Sequence, residues 1–339
     1  MRPVSIGGLA AGGDAAPLVI AEIGINHNGD LEHAKRMIES AHRAGAAMVK
    51  LQSFQPDSFM KSDLPYYDNI RRLSFSFEQH EELFSFAKKS GIALFSAAFD
   101  TATADFLDQM GAPAFKIASM DCNNIPLLRH VAKKGKPVIL ATGMAGMDEV
   151  NAAVHAIRGA GNTQLVLLHC VSDYPANIKQ MNLNVMRTLA ERFDLPVGLS
   201  DHSEGLHASF AAAAMGAALI ERHFTMDRKM AKIFPFSDHA ISIEPAELEE
   251  LARYCRSIRA MQGSGEKSLT KNEADNRNNF RRGLFASRPL RAGETVTPEM
   301  LIALRPLRGL SVAEWDGVIG KKLAHNVNER DPITPADLA

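Results

Sequence analysis

No stretch of this 339-residue chain reaches the roughly 20 consecutive apolar residues that a membrane-spanning helix needs, so no such helix is expected. Cysteine is scarce. Cys122, Cys170 and Cys255 are odd in number and far apart, which argues against a disulfide framework and for a reducing, cytoplasmic setting where they pack as small hydrophobes. Charge of one sign is also missing: 38 basic and 39 acidic residues leave a net charge of −1, and no global field draws the chain to nucleic acid or an anionic membrane. Any bound anion must be met by local charges. The glycine fingerprint GxGxxG is absent, which disfavours an open dinucleotide-binding sheet. The amino end, MRPVSIGGLAAGGDAAP, has one early arginine but no long apolar core, and it reads as a loose lead-in, not a signal peptide.

What the chain does have is a series of short apolar runs that each stop at a polar residue. The run from Val19 ends in Glu22, Asn26, His27 and Asn28; VKLQ ends at Lys50 and Gln52; FKIAS at Lys116 and Ser119; LLHC at His169; VGLSDHS at His202; IERHFT at His223. Such runs read as buried parallel strands with chemistry at their carboxyl ends. Eight strands are predicted, at 18–23, 47–52, 92–96, 114–118, 137–141, 165–170, 196–200 and 218–223. Amphipathic segments separate them at 31–44, 78–90, 101–110, 146–159, 180–193 and 205–215, several ending at a glycine. This alternation predicts an α/β fold, a (β/α)8 barrel over residues 1–263 closed by a helix at 245–261. Residues 264–280 are polar enough for a linker. From Arg281 to Ala339 the turn at 291–294, Pro298 and a capping box at Ser311 and Glu314 predict a small second domain.

The ordered series AEIGINHNG, VKLQ, FKIAS, ATGM, LLHC with Tyr174 and Pro175, LPVGLSDHS, IERHFT and SDHA resembles the N-acetylneuraminate (sialic acid) synthase family. The tail, RRGLFASRPLRAGE, ALRP and WDGVIGKKLA, is similar to the antifreeze-like (SAF) domain that follows the barrel in that family. The resemblance covers about residues 17–339 and implies a transferase. Such enzymes join phosphoenolpyruvate to an N-acyl amino-sugar aldehyde such as N-acetylmannosamine, giving a nine-carbon 2-keto acid and phosphate with C–O cleavage. It further implies a divalent metal and a domain-swapped homodimer in which the tail of one chain reaches the other's barrel mouth.

Phosphoenolpyruvate concentrates negative charge, so its site needs cations and oriented donors away from water. Lys50 and Lys116, each inside an apolar strand, require an anionic partner, whether ligand or ion pair. Ser119, Thr142, Ser172 and Ser200 join them as phosphoenolpyruvate-binding candidates, with capping the next helix or satisfying the barrel rim as the alternative role of Ser119, Thr142 and Gln52. Gln52, Asp121, Tyr174 and Arg305 are the sugar-binding candidates, Arg305 by its match to the tail-domain arginine of the family. His202 and His223 end adjacent strands and are the expected metal ligands, for manganese or alternatively magnesium or cobalt. Glu22 is the candidate for proton handling or for placing water, and Asp238 is a second catalytic candidate with sugar binding as an alternative role.

Three departures bear on the sugar. FSAAF places Ala97 and Ala98 where the family has FSTPF, Asp121 stands where a glutamate is usual, and AKIFPFSDH expands a loop and adds Phe234 and Phe236. A 2,4-diacetamido-6-deoxy hexose, giving a legionaminic- or pseudaminic-type acid, is therefore a rival substrate. A metal-dependent barrel aldolase or hydrolase would account for the two histidines but not for both lysines and the tail. A saccharide-binding module would need neither.

Overall fold

The computed structural model describes residues 2–339 and divides into two units, Met1–Gly263 and Ser264–Ala339. Two short strands open the chain, β1 (Val4–Ile6) and β2 (Leu9–Ala11). Eight more follow: β3 (Leu18–Gly24), β4 (Met48–Ser53), β5 (Ala93–Ala98), β6 (Phe115–Ile117), β7 (Val138–Ala141), β8 (Leu165–Cys170), β9 (Val197–Asp201) and β10 (Leu219–His223). All neighbours among the eight are parallel, and β10 pairs with β3 to close the barrel expected from the sequence.

Local signals explain the helices that cover it. The helix Leu31–Arg43 begins where the Asp30 carboxylate accepts the His33 N–H and buries Ala34, Met37, Ile38 and Ala41. The helix Phe77–Ser90 starts at a Ser76/Gln79 capping box and stops at Gly91, whose φ of 79° is the left-handed conformation that glycine adopts without steric cost. Among the described residues, no helix is long and apolar enough to cross a membrane.

Alternation along the strands layers the barrel interior. Ile20, Met48, Ala114 and Leu219 belong to the apolar cluster in its lower half. Two residues further along the same strands stand Glu22, Lys50, Lys116 and Glu221. One end of the barrel is therefore sealed by hydrocarbon, and the other carries buried charge.

Several segments differ from expectation. The lead-in is an antiparallel hairpin, β1 with β2, whose Val4, Ile6 and Ala11 pack against the apolar half of the barrel interior. Strands of three residues carry too little pattern to be read. Helices at Pro56–Phe59, Tyr67–Leu73 and Ile125–Ala132 fall where the sequence predicts none. Residues 264–280 group with the second unit and include the helix Lys271–Phe280, capped by Thr270 and Glu273, with no buried residue to give it an apolar stripe.

Within the second unit, β11 (Gly283–Ala286) pairs antiparallel with β12 (Leu301–Leu304). Its core gathers Leu284, Leu290, Val296, Leu310, Leu323 and Ile333, and Trp315 packs against that cluster half-buried.

Candidate active site at the carboxyl ends of the barrel strands

Register brings the polar strand residues together. Glu22 is the direct partner of Lys50 on one side and of His223 on the other. Lys50 forms an ion pair with Glu22 and lies 3.7 Å from Glu221 Oε2, while Lys116 Nζ lies 3.4 Å from Glu221 Oε1. The lysines thus find their anionic partners inside the barrel. Gln52 donates to Glu22 Oε1 at 3.1 Å, and the Ser200 hydroxyl donates to Glu221 Oε1 at 3.0 Å. Glu221 is not among the residues singled out by the sequence patterns although it stands in IERHFT; strand alternation from His223 puts it on the same inward face.

Burial and neighbours divide the four charges. Burial raises the pKa of Glu22, and the nearby Glu221 adds to the rise against the opposing pull of Lys50. Burial pushes Glu221 the same way, but Lys116 and Lys50 outweigh it and hold its carboxyl below the ordinary value. Burial lowers the Lys116 ammonium despite Glu221, whereas at Lys50 the two glutamates overcome burial and the pKa rises. Glu22 is therefore the carboxyl of the ring more disposed to hold a proton.

Beside this ring lies a patch of hydroxyls. A Cβ built on Gly143 would come within 2.2 Å of Ser172 Oγ and 2.8 Å of Ser119 Oγ, so the backbone and both hydroxyls crowd one spot that only glycine permits. Ser119 Oγ accepts the Gly143 N–H at 3.0 Å, and the buried Ser172 Oγ has no hydrogen-bond partner. The Thr142 hydroxyl donates to the Leu168 carbonyl at 2.9 Å, so its proton is committed to the barrel rim. Asp121 lies in the turn after β6, half-buried, and accepts from Asn124 at 2.9 Å.

The two histidines sit at the ends of β9 and β10 with ring centroids 5.4 Å apart. His202 Nδ1 is 3.0 Å from the Val171 carbonyl, which can only accept; Nδ1 therefore carries the proton and Nε2 keeps its lone pair in the neutral ring. Burial pushes the His202 pKa down, but contacts with Cys170 and that carbonyl outweigh it, so a bound cation would compete with a proton there. Burial holds His223 neutral, with its pKa well below the ordinary value, and its buried Nδ1 has no hydrogen-bond partner. Asp238 Oδ2 stands 3.5 Å from that nitrogen, and burial lifts the Asp238 carboxyl to about 6. Tyr174 stacks on His202 at 4.3 Å with much of its ring exposed.

These residues fit a divalent cation held by two imidazoles. Among the described residues no three His, Cys, Asp or Glu side chains are grouped to hold an ion alone, so oxygen donors from water and substrate would complete the shell. Arg305 belongs to the second unit, where it is exposed just after β12 with its guanidinium 6.0 Å from the centre of the Phe280 ring.

Comparison with known proteins agrees with this architecture. Residues 37–267 match the NeuB family model and residues 281–339 match the SAF domain model. The chain is 38% identical to an N,N'-diacetyllegionaminic acid synthase of Campylobacter jejuni, over 93% of this chain and 98% of that one. It is also 38% identical to a protein of the same name from Legionella pneumophila, covering 91% of each. A crystal structure of N-acetylneuraminic acid (sialic acid) synthetase from Leptospira borgpetersenii, in complex with citrate, superposes with a TM-score of 0.76 at 34% identity, over 81% of this chain and 95% of that one. With a barrel, a tail domain and relatives that agree along the whole length, the chain belongs to the NeuB family of sialic, legionaminic and pseudaminic acid synthases and carries a SAF domain behind its barrel.

Proposed function

We propose that this protein is a transferase that condenses phosphoenolpyruvate with an N-acyl amino-sugar aldehyde, giving a nine-carbon 2-keto acid and phosphate. The observation that carries the reading is the meeting, inside one end of the barrel, of a buried ring of two lysines and two glutamates with a pair of histidines that keep free ring nitrogens. A binding module would gain nothing from charges buried at this cost.

In this reading Lys50 and Lys116 receive the anionic substrate, helped by the Ser119 and Ser172 hydroxyls, while Thr142 and Ser200, whose protons go to the Leu168 carbonyl and to Glu221, steady the rim and the carboxylate around it. His202 and His223 hold the divalent cation, manganese before magnesium or cobalt, which when bound supplies Lewis acidity to the aldehyde oxygen. Carbon 3 of phosphoenolpyruvate bonds to the aldehyde carbon, leaving positive charge at carbon 2. Water adds there and loses one proton to Glu22, matching the proton that the former aldehyde oxygen takes up; the hydroxyl left on carbon 2 gives its proton to the departing phosphate as the C–O bond breaks and the keto group forms. Gln52, hydrogen-bonded to Glu22, fixes the carboxyl for that step. Asp238 and Asp121 bind sugar hydroxyls, and Tyr174 covers the sugar beside His202. Arg305 grips the acyl group, supplied by a second copy in a domain-swapped homodimer.

For the sugar, two lines favour a 2,4-diacetamido-6-deoxy hexose over N-acetylmannosamine: the names of the relatives at 38% identity, and the apolar Phe234 and Phe236 in the loop that leads to Asp238. The test is incubation with phosphoenolpyruvate, manganese and a panel of amino-sugar aldehydes, followed by the mass of the keto acid. A product from the diacetamido sugar ahead of N-acetylmannosamine supports the assignment. No keto acid from any member refutes it.

A further inference from the structure

Two residues left unused by this chemistry stand immediately before the two histidines. Asp201 precedes His202 at the end of β9, and Arg222 precedes His223 in β10. They are direct register partners on adjacent strands. Side chains alternate across a strand, so Ser200 meets Glu221 inside the barrel, Asp201 meets Arg222 behind its wall, and the histidines turn inward again.

The contact behind the wall is extensive. Arg222 Nη1 donates to Asp201 Oδ2 at 2.7 Å, with side-chain exposures of 1% and 0%. The same nitrogen donates to the Gly205 carbonyl at 2.8 Å, and Nη2 donates to the Ser203 carbonyl at 2.9 Å. One planar fork therefore grips both the end of β9 and the turn that follows His202. Asp201 in turn accepts the Ser203 N–H at 2.9 Å, the Ser203 hydroxyl at 2.7 Å and the Ser209 hydroxyl at 2.5 Å. A buried ion pair of this kind adds little net stability over apolar side chains of equal volume, so its geometric consequence is its main contribution. That consequence falls on the two residues that share its backbone.

We propose that the Asp201–Arg222 pair is a positioning device that fixes the separation and tilt of the His202 and His223 rings, and so sets the affinity of the site for a divalent cation without touching it. The proposal rests on the reading of the two histidines as metal ligands, and the experiment separates the two ideas. Outer groups that orient ligands typically change metal affinity by about 10- to 100-fold when altered. Lysine at position 222 keeps the charge but lacks the fork that reaches both carbonyls.

The measurement is titration of the full-length protein with Mn2+, following the free ion by electron paramagnetic resonance. Wild type is expected to bind and His202→Ala to lose binding; if wild type fails to bind, the ligand reading and this inference fall together. Arg222→Lys is expected to raise the Mn2+ Kd by about 10-fold or more. Its kcat should recover at saturating Mn2+ with an unchanged KM for phosphoenolpyruvate, a rescue that a collapsed fold would not show. A folded Arg222→Lys with a Kd within about twofold of wild type overturns the positioning role while leaving the ligand reading standing. Should that variant not fold, Ser209→Ala removes one donor to Asp201 and is expected to weaken Mn2+ binding about fivefold, the equivalent of one ordinary hydrogen bond; an unchanged Kd there overturns the proposal equally.

Discussion

Glu221 Oε1 lies 3.4 Å from Lys116 Nζ in the barrel interior, with both side chains at most 5% exposed. The same carboxylate faces Lys50 through its other oxygen, so one glutamate holds two lysines at the site. Removing one partner of a buried pair leaves an uncompensated charge, at a cost of about 3–5 kcal/mol. Glu221→Ala should therefore lower the thermal midpoint by roughly 10 °C and abolish turnover. Glu221→Gln, which keeps the shape and an oxygen acceptor, should fold with a smaller loss of stability. Calorimetry on the pair checks this, and an alanine variant as stable as wild type would remove the proposed role of the ring.

The first strand-to-helix turn should be sensitive to acid. Burial depresses the His27 pKa to about 3, and the ring stacks on Phe75 at 3.9 Å while accepting the Gly29 N–H. The unfolded chain binds a proton at this residue below about pH 6.5, whereas the folded chain resists it down to about pH 3. The stability that neutral His27 contributes is thus present above pH 6.5 and lost as pH falls through that window. His27→Gln, which retains an acceptor, should flatten the fall of thermal midpoint between pH 6.5 and 4. A profile as steep as that of wild type would assign the acid sensitivity elsewhere.

Much of this site could be read from the chain because an apolar run ending in a lone polar residue is a local pattern. Lys50, Lys116, His202 and His223 announce themselves against their neighbours. Glu221 and Arg222 do not, since IERHFT is polar in three successive places, and which of them faces inward follows only once His223 is placed at the site and alternation is counted back from it. The pairing of Lys50 with Glu22 depends on residues 28 positions apart in sequence, and no local pattern reports it. The opening hairpin stayed hidden for the opposite reason: its strands are too short for any periodicity.

That hairpin plugs the closed end of the barrel, remote in function from the charged end. Ile6 is fully buried there beside the interior residues. Ile6→Ala should cost about 2–5 kcal/mol through lost burial and the cavity left behind. KM for both substrates should stay within about twofold of wild type, since no site residue moves. Denaturant titration and steady-state kinetics read the two effects, and a stability loss below about 0.5 kcal/mol would show that the hairpin is dispensable.

Substitution of Arg305 should separate sugar recognition from the barrel chemistry. If it grips the acyl group, Arg305→Ala removes a charge-assisted hydrogen bond of about 1.5–3 kcal/mol and should raise the amino-sugar KM by roughly 10- to 100-fold. The KM for phosphoenolpyruvate should not change. An unaltered sugar KM would return Arg305 to the role of a solvent-facing residue over Phe280.

The lysine ring and the histidine pair, if they act together, serve one condensation. Phosphoenolpyruvate labelled with heavy oxygen in the bridge between carbon 2 and phosphorus tests it most directly, with mass measurement of both products. Labelled phosphate and an unlabelled keto group are expected, formed only when amino sugar and divalent metal are both present. Label retained in the keto acid, or phosphate released equally fast without the sugar or after chelation, would contradict it.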